Sequence, residues 1–240
     1  MKITSVNNEL VKETAKLLQK KYRKDSFLLE GIKCIKEAIN SGLEIEHLFV
    51  LEGSDEFATL ENRIETTEAV LAKISSTDSA PKCVAVAKKI NREWSNNYKR
   101  IVLLEDIKDA GNLGTILRTA CAFNFDAIIL YGDTVDLYNP KCVRSSVGNL
   151  WKIPVFEMND LSVFEDYERV ATLPKSEETV WLKDYTPQEK VLVMFGTESS
   201  GLSKELKNFA TKNVTIEMSN KVESLNLSIS VGVILYKISY

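Results

Sequence analysis

Ile101-Val102-Leu103-Leu104-Glu105-Asp106-Ile107-Lys108-Asp109-Ala110-Gly111-Asn112-Leu113-Gly114-Thr115-Ile116-Leu117-Arg118-Thr119-Ala120 passes from an apolar run through a polar turn into helical spacing, the succession of an α/β fold. Its first four residues form an unbroken apolar run, the mark of a strand covered on both faces. A polar turn follows, and the chain then opens a helix, with Asn112 standing where a capping residue belongs. Gly114 and Arg118 are four apart and share one helical face. Working outward, Ala127-Ile128-Ile129-Leu130-Tyr131 and Val191-Leu192-Val193-Met194-Phe195 are two more apolar runs, each ending in a turn rich in Gly or Asp. The pattern is α/β, with a parallel sheet between helices.

The front half alternates in the same way but on a smaller scale. Residues 8–22 and 32–41 carry helical spacing, with Gly42 as a stop signal, and 70–74 reads as a short helix. Phe27-Leu28-Leu29-Glu30-Gly31, His47-Leu48-Phe49-Val50-Leu51 and Cys83-Val84-Ala85-Val86-Ala87 read as strands. The polar segment between Lys88 and Arg100 lacks apolar periodicity. The expected layout is therefore a small α/β domain over 1–90, a linker over 91–99 and a larger domain over 100–240.

Two domains suit 240 residues, and 44% hydrophobic with 27% charged residues is an ordinary globular balance. No apolar stretch approaches the ~20 residues of a membrane helix, and the first residues have no signal-peptide core, so a cytoplasmic protein is expected. Cys34, Cys83, Cys121 and Cys142 are far apart without a C-x-x-C pair, which argues against a metal or redox centre and fits small buried side chains. The net charge of −3 hides an uneven distribution: residues 1–36 hold nine Lys/Arg against four Asp/Glu, whereas 37–70 hold one against nine. A basic front end of this kind suits a polyanion on an otherwise acidic protein.

Two more loops join the one that opened this reading. Phe195-Gly196-Thr197-Glu198-Ser199-Ser200-Gly201-Leu202-Ser203 follows an apolar strand, and its glycines let backbone approach a ligand. It is no hydrolase elbow, because G-x-S-x-G would need serine at Glu198. Neither a G-x-G-x-x-G fingerprint nor a P-loop is present, which excludes the common dinucleotide and nucleotide folds. In Val222-Glu223-Ser224-Leu225-Asn226-Leu227-Ser228-Ile229-Ser230-Val231 the alternation fits a strand, while a helix capped at Ser224 and burying Leu227, Val231, Ile234 and Leu235 fits equally; spacing leaves both open.

Asn-x-Gly-x-x-x-Arg, then Gly-x-Glu-x-x-Gly-Leu-Ser, then Glu-Ser-Leu-Asn-x-Ser, in this order, resembles the three motifs of the SpoU-type RNA ribose methyltransferases of the SPOUT superfamily. The resemblance covers Ile101 to Ile238. Ser5, Asn7, Arg23-Lys24, the 27–31 segment and Ser75-Ser76-Thr77 are similar to the family's RNA-binding domain of ribosomal-protein L-thirty-e type. Thr197 and Ser230 depart from it, standing where Asn and Ala are frequent.

The resemblance implies a deep trefoil knot, a homodimer with its active site built across two subunits, and methyl transfer from S-adenosylmethionine to a ribose 2′-hydroxyl of RNA. It places Thr172, Leu173, Gly196, Glu198, Gly201, Ile216, Met218, Leu225 and Asn226 around the cofactor. Arg118, Asn112, Glu198, Ser224 and Asn226 would line the methyl-transfer site, and Arg23, Lys24, Glu30, Lys33 and Arg118 would meet RNA. The family mechanism casts Arg118 as a base. Guanidinium groups stay protonated in proteins (pKa above ~12), so a grip on phosphate and on developing alkoxide charge is the better physical role. Ribosomal RNA of the 23S type is the expected substrate. The alternatives are a transfer-RNA 2′-O-methyltransferase, a non-catalytic RNA-binding or assembly factor of this fold, and a base methyltransferase.

Overall fold

The computed structural model describes residues 1–197 and 199–240. The chain divides into two compact units, residues 1–91 with 136–151, and residues 92–135 with 152–240.

The first unit is built on a five-stranded sheet in the order β1 (Lys2–Ile3), β4 (Arg63–Thr66), β3 (Ile45–Leu51), β5 (Cys83–Lys88), β2 (Ser26–Glu30). The first three run parallel, and β5 is antiparallel to both its neighbours. Helices α1 (Glu9–Lys16), α2 (Ile32–Asn40) and α3 (Glu68–Lys73) connect the strands. Val11, Val70, Leu71 and Ile74 pack with Leu28, Phe49, Ile64, Val84 and Val86 into one core. The helix read over 8–22 ends earlier: Asn8 caps it, and after Lys16 the chain tightens to a 3-10 turn at Lys20–Tyr22.

One part of this unit comes from far along the chain. Helix α5 (Pro140–Ser146) packs on β2, and the Phe27 and Tyr138 rings meet at 4.7 Å. Two ion pairs hold the excursion, one buried and one with its arginine half-exposed. Arg23 Nε donates to Asp136 Oδ2 at 2.7 Å, with side chains only 3% and 11% exposed. Arg144 Nη1 donates to Glu30 Oε2 at 2.9 Å, where Glu30 also accepts from Ser76 N. Val147, which ends α5, sits in the left-handed region at φ 47°, an unusual place for a β-branched residue.

The second unit is a wholly parallel seven-stranded sheet in the order β10 (Val180–Trp181), β12 (Lys212–Thr215), β9 (Glu168–Thr172), β11 (Val191–Phe195), β6 (Arg100–Glu105), β7 (Ala127–Tyr131), β8 (Val155–Glu157). The three apolar runs read from the sequence are β11, the central strand, β6 beside it, and β7, which the edge strand β8 covers. Ile101, Leu103, Ile129, Leu192 and Met194 face a layer containing Phe164, Tyr167, Leu202 and Leu206. The alternate residues Val102, Leu104, Ile128, Leu130 and Val193 are equally buried, which is why these strands read as continuous rather than alternating.

Helices α4 (Ala110–Ala122), α6 (Lys204–Phe209) and α7 (Leu227–Ser239) complete the unit. α4 and α7 lie side by side in the same direction. Asn226 meets Asn112 at their starts, Gly232 approaches Thr119, and Ser239 Oγ donates to Phe123 O at their ends. The polar segment before β6 carries aromatic anchors. Trp94 and Tyr98 pack edge-on, Trp94 also meets Phe156 and Phe164, and Tyr167 Oη donates to Tyr98 O. Two aromatics in an otherwise polar stretch escaped a reading by average composition. Among the described residues, no helix is long and apolar enough to cross a membrane.

Candidate active site

Strands β12, β9 and β11 are neighbours and parallel, so their C-terminal ends finish at one sheet edge and deliver three loops there. The loops over 172–174, 195–197 with 199–202, and 214–218, together with 223–225 and the first turns of α7, enclose a cavity of about 370 Å³. That lies within the ~300–1,000 Å³ of small-molecule sites.

The middle loop is tied across its own mouth. Thr197 N donates to Gly201 O at 3.2 Å and Gly201 N donates to Thr197 O at 3.0 Å. Thr197 Oγ1 also accepts from Ser200 N at 3.1 Å, the turn-bracing role that an Asn side chain would serve at this position. Gly196 is required by space: a Cβ there would lie 2.0 Å from Gly201 C and 2.2 Å from Leu202 N. Gly201 is required by conformation, at φ +65°. Behind the loop, the buried Glu105 carboxylate at the end of β6 accepts from Ser203 N at 2.7 Å. Nearby, Tyr131 Oη donates to Glu205 at 2.8 Å, a bond that with some desolvation holds the phenol above its ordinary pKa. Thr172 Oγ1 donates to Met194 O at 2.8 Å, locking β9 to β11.

Of the residues expected around a cofactor, Thr172, Leu173, Gly196, Gly201, Ile216, Met218 and Leu225 line this cavity, as does Ser224. Asn226 does not; it stands just beyond, at the start of α7. Glu198 lies outside the described residues. Glu223, the first residue of the third motif, also lines the space, as do Pro174, Lys207 and Thr215, which carry no sequence signal of their own.

Two capping expectations are corrected. Asp109, not Asn112, caps α4, its Oδ1 accepting from Asn112 N at 2.7 Å; either residue had a suitable side chain, and Asp109 comes first. At the C-terminus the helix prevails over the strand, since Leu227, Val231, Ile234 and Leu235 are buried on one face while Ile229 is 55% exposed. Its cap is Asn226 rather than Ser224, with Oδ1 accepting from Ser228 N at 2.9 Å. Asn226 Nδ2 donates to Asn112 Oδ1 at 3.2 Å, so the first and third motifs meet through these two amides.

Arg118 is not among the cavity-lining residues. It is exposed on the outward side of α4, with Thr115 and Ala122. The other expected RNA contacts divide. Lys24 and Lys33 are exposed, whereas Arg23 and Glu30 are 5% and 6% exposed and committed to Asp136 and Arg144. A buried, paired guanidinium or carboxylate is not available to a phosphate, so these two charges serve the fold.

A cavity lined by Leu173, Ile216, Leu225 and Met218, with backbone from a glycine loop, fits an adenosine-bearing cofactor: apolar walls for the base and main-chain groups for its polar edges. The comparisons agree. Residues 99–236 match the SpoU rRNA Methylase family, and residues 8–85 match the MRM3-like substrate binding domain. The chain is 34% identical to an uncharacterized tRNA/rRNA methyltransferase of Synechocystis, over 98% of this chain and 92% of that one. It is 28% identical to the 23S rRNA (guanosine(2553)-2'-O)-methyltransferase RlmP of Bacillus subtilis, over 98% of this chain and 97% of that one. The crystal structure of an AdoMet-bound rRNA methyltransferase from Sinorhizobium meliloti superposes with a TM-score of 0.87 at 28% identity, covering 99% of this chain and 96% of that one. From its α/β architecture, its glycine-loop cavity and these matches, the chain belongs to the SpoU rRNA methylase family.

Proposed function

We propose that this protein methylates the ribose 2′-hydroxyl of an RNA using S-adenosylmethionine, with ribosomal RNA of the 23S type as substrate and the cytoplasm as its place of action. The observation that carries the reading is the cavity between the β9, β11 and β12 loops, in which Gly196 leaves no room for any side chain. Relatives matched over 84% or more of their length and named 23S rRNA 2′-O-methyltransferases support the choice of RNA.

The cofactor supplies a methyl group already activated by positive sulfur. This chain's residues hold it and align the acceptor. Leu173, Ile216 and Leu225 provide apolar walls, Gly196 and Gly201 bring backbone close, and Glu105 fixes the loop through Ser203 N. Ser224, Asn226 and Asn112 stand at the end of the cavity where helices α4 and α7 begin, and they orient the ribose; Glu198 takes part with them. Arg118 grips the neighbouring phosphate and stabilises charge as the hydroxyl loses its proton.

Arg118 is exposed and does not line this cavity, which supports a site completed by a second copy of the chain. The face for that copy is α7, where Ile229, Val233, Tyr236 and Tyr240 are exposed at helical spacing. A homodimer would cover this stripe and bring each Arg118 to the partner's cavity. The deciding experiment is transfer of labelled methyl groups to ribosomal RNA from cells lacking the gene, with mass mapping of the product. A 2′-O-methyl mark on 23S-type RNA is expected; methylation on a base, or on transfer RNA alone, would overturn this assignment.

A further inference from the structure

Both lysines of α1 are neutralised by their own helix: Lys12 pairs with Glu9 and Lys16 with Glu13. The turn that follows is different. Lys20, Lys21 and Lys24 are exposed, and no carboxylate of the described residues pairs with them. Between them stands Tyr22, a large ring left 41% exposed, with Lys21 Nζ 4.8 Å from its centroid.

The turn is held rigidly from below. Arg23, the next residue, is buried; it donates through Nη1 to Leu17 O and through Nε to Asp136, both at 2.7 Å. The patch then continues. Asp25 O accepts from Lys89 N, and Lys89 Nζ lies 4.7 Å from the Tyr138 ring. Cations interleaved with an exposed ring on a rigid support form the pattern that holds unpaired nucleotides: rings take bases and ammonium groups take phosphates. Asp25 is the one exposed acid among these residues.

We infer that Tyr22 is a stacking platform for an unpaired base of the RNA substrate, with Lys20, Lys21 and Lys24 on the flanking phosphates and Arg23 as the positioning residue that presents the ring. This rests on the RNA-methylation reading and adds to it a single-stranded segment recognised by the first unit. An exposed ammonium–ring contact is weaker than a base stack, so a base displaces Lys21 from the ring and frees it for phosphate.

The test uses the full chain with two fluorescein-labelled probes, an oligouridylate and a fully paired RNA duplex, read by anisotropy. Tyr22→Ala is expected to weaken oligouridylate binding roughly 5- to 150-fold, while Tyr22→Phe stays within about twofold. Duplex binding by Tyr22→Ala should change less than about twofold, because only unpaired bases stack on the ring. Replacing Lys20, Lys21 and Lys24 together with alanine should weaken both probes and flatten the salt dependence of oligouridylate binding by about two units of log–log slope. Independently of any variant, photo-cross-linking of a thiouridine-bearing oligonucleotide should label the peptide containing Tyr22. Unchanged oligouridylate affinity in Tyr22→Ala, equal losses in the Ala and Phe variants, or cross-links confined to other peptides would overturn the inference. Calorimetry of S-adenosylmethionine with the native protein separates the two ideas: failure there sinks the methyltransferase reading, whereas the stack stands or falls on the oligonucleotide data.

Discussion

Replacing Gly196 with alanine asks whether the glycine loop is the cofactor's seat. The added methyl would start 2.0 Å from Gly201 C and 2.2 Å from both Gly201 O and Leu202 N. All three are backbone atoms, so no side chain can swing aside. Reaching an ordinary contact near 3.4 Å means moving the loop by more than 1 Å, which pulls apart the paired Thr197–Gly201 hydrogen bonds of 3.0 and 3.2 Å. Overpacking costs about 1–3 kcal/mol and each lost bond about 0.5–1.5 kcal/mol. Because the loop can open without unfolding the sheet, most of that cost falls on cofactor binding. Calorimetry should show affinity for S-adenosylmethionine falling roughly 30- to 1,000-fold, taking about 1.4 kcal/mol per tenfold. Gly201→Ala is the internal control: nothing lies within 4 Å of its Cβ, so only the φ +65° penalty of about 1–2 kcal/mol applies and the loss should be smaller. If Gly196→Ala binds cofactor within about threefold of native, the backbone of this loop does not hold it.

Arg23→Ala should destabilise the fold by about 3–5 kcal/mol, leaving Asp136 buried and unpaired, and lower the melting temperature on the order of 10 °C by calorimetry. Lys24→Glu, at the surface beside it, should instead raise the Michaelis constant for RNA without shifting the melting temperature. Arg118→Lys should keep part of the RNA affinity and lose most turnover in a methyl-transfer assay; near-native turnover would show that the guanidinium fork is dispensable. Ile229→Asp combined with Val233→Asp should convert a dimer to a folded monomer by light scattering, since both side chains stand on the exposed stripe of α7. Burial pushes the Cys34 thiol up to about 11 and those of Cys83 and Cys142 to about 12, from near 9. The folded chain therefore holds these protons more tightly than the unfolded one. Their contribution to stability is intact below pH 9 and is lost as pH rises towards 12, which denaturant titrations across that range would record.

Strands β6, β7 and β11 were legible because burial on both faces leaves an unbroken apolar run, and the ends of 127–131 and 191–195 fall where β7 and β11 begin and end. β9 and β12 were not. Glu168, Arg169, Lys212 and Asn213 stand at their starts, half-buried, so polar residues interrupt the apolar run. The helix at 227–239 hid behind an accidental alternation of Ser with Leu and Ile, and only burial of Val231, Ile234 and Leu235 together resolves it. In the cavity, the glycines announced themselves, while Lys207 and Thr215 enter through the fold alone. Arg23 misled for a clear reason: a charge in a basic run looks solvated, and nothing local reveals that Asp136 waits 113 residues away.

That distant partner has a consequence for anyone dissecting the protein. A fragment cut at residue 91 would be born with two orphaned charges, Arg23 and Glu30, and with Phe27 stripped of Tyr138. On the ribosome, the first unit cannot finish until residue 151 has emerged, so its completion must wait for part of its neighbour to be made. Chimaeras that exchange the recognition half between relatives should therefore carry residues 136–151 along with it, as one inseparable cassette.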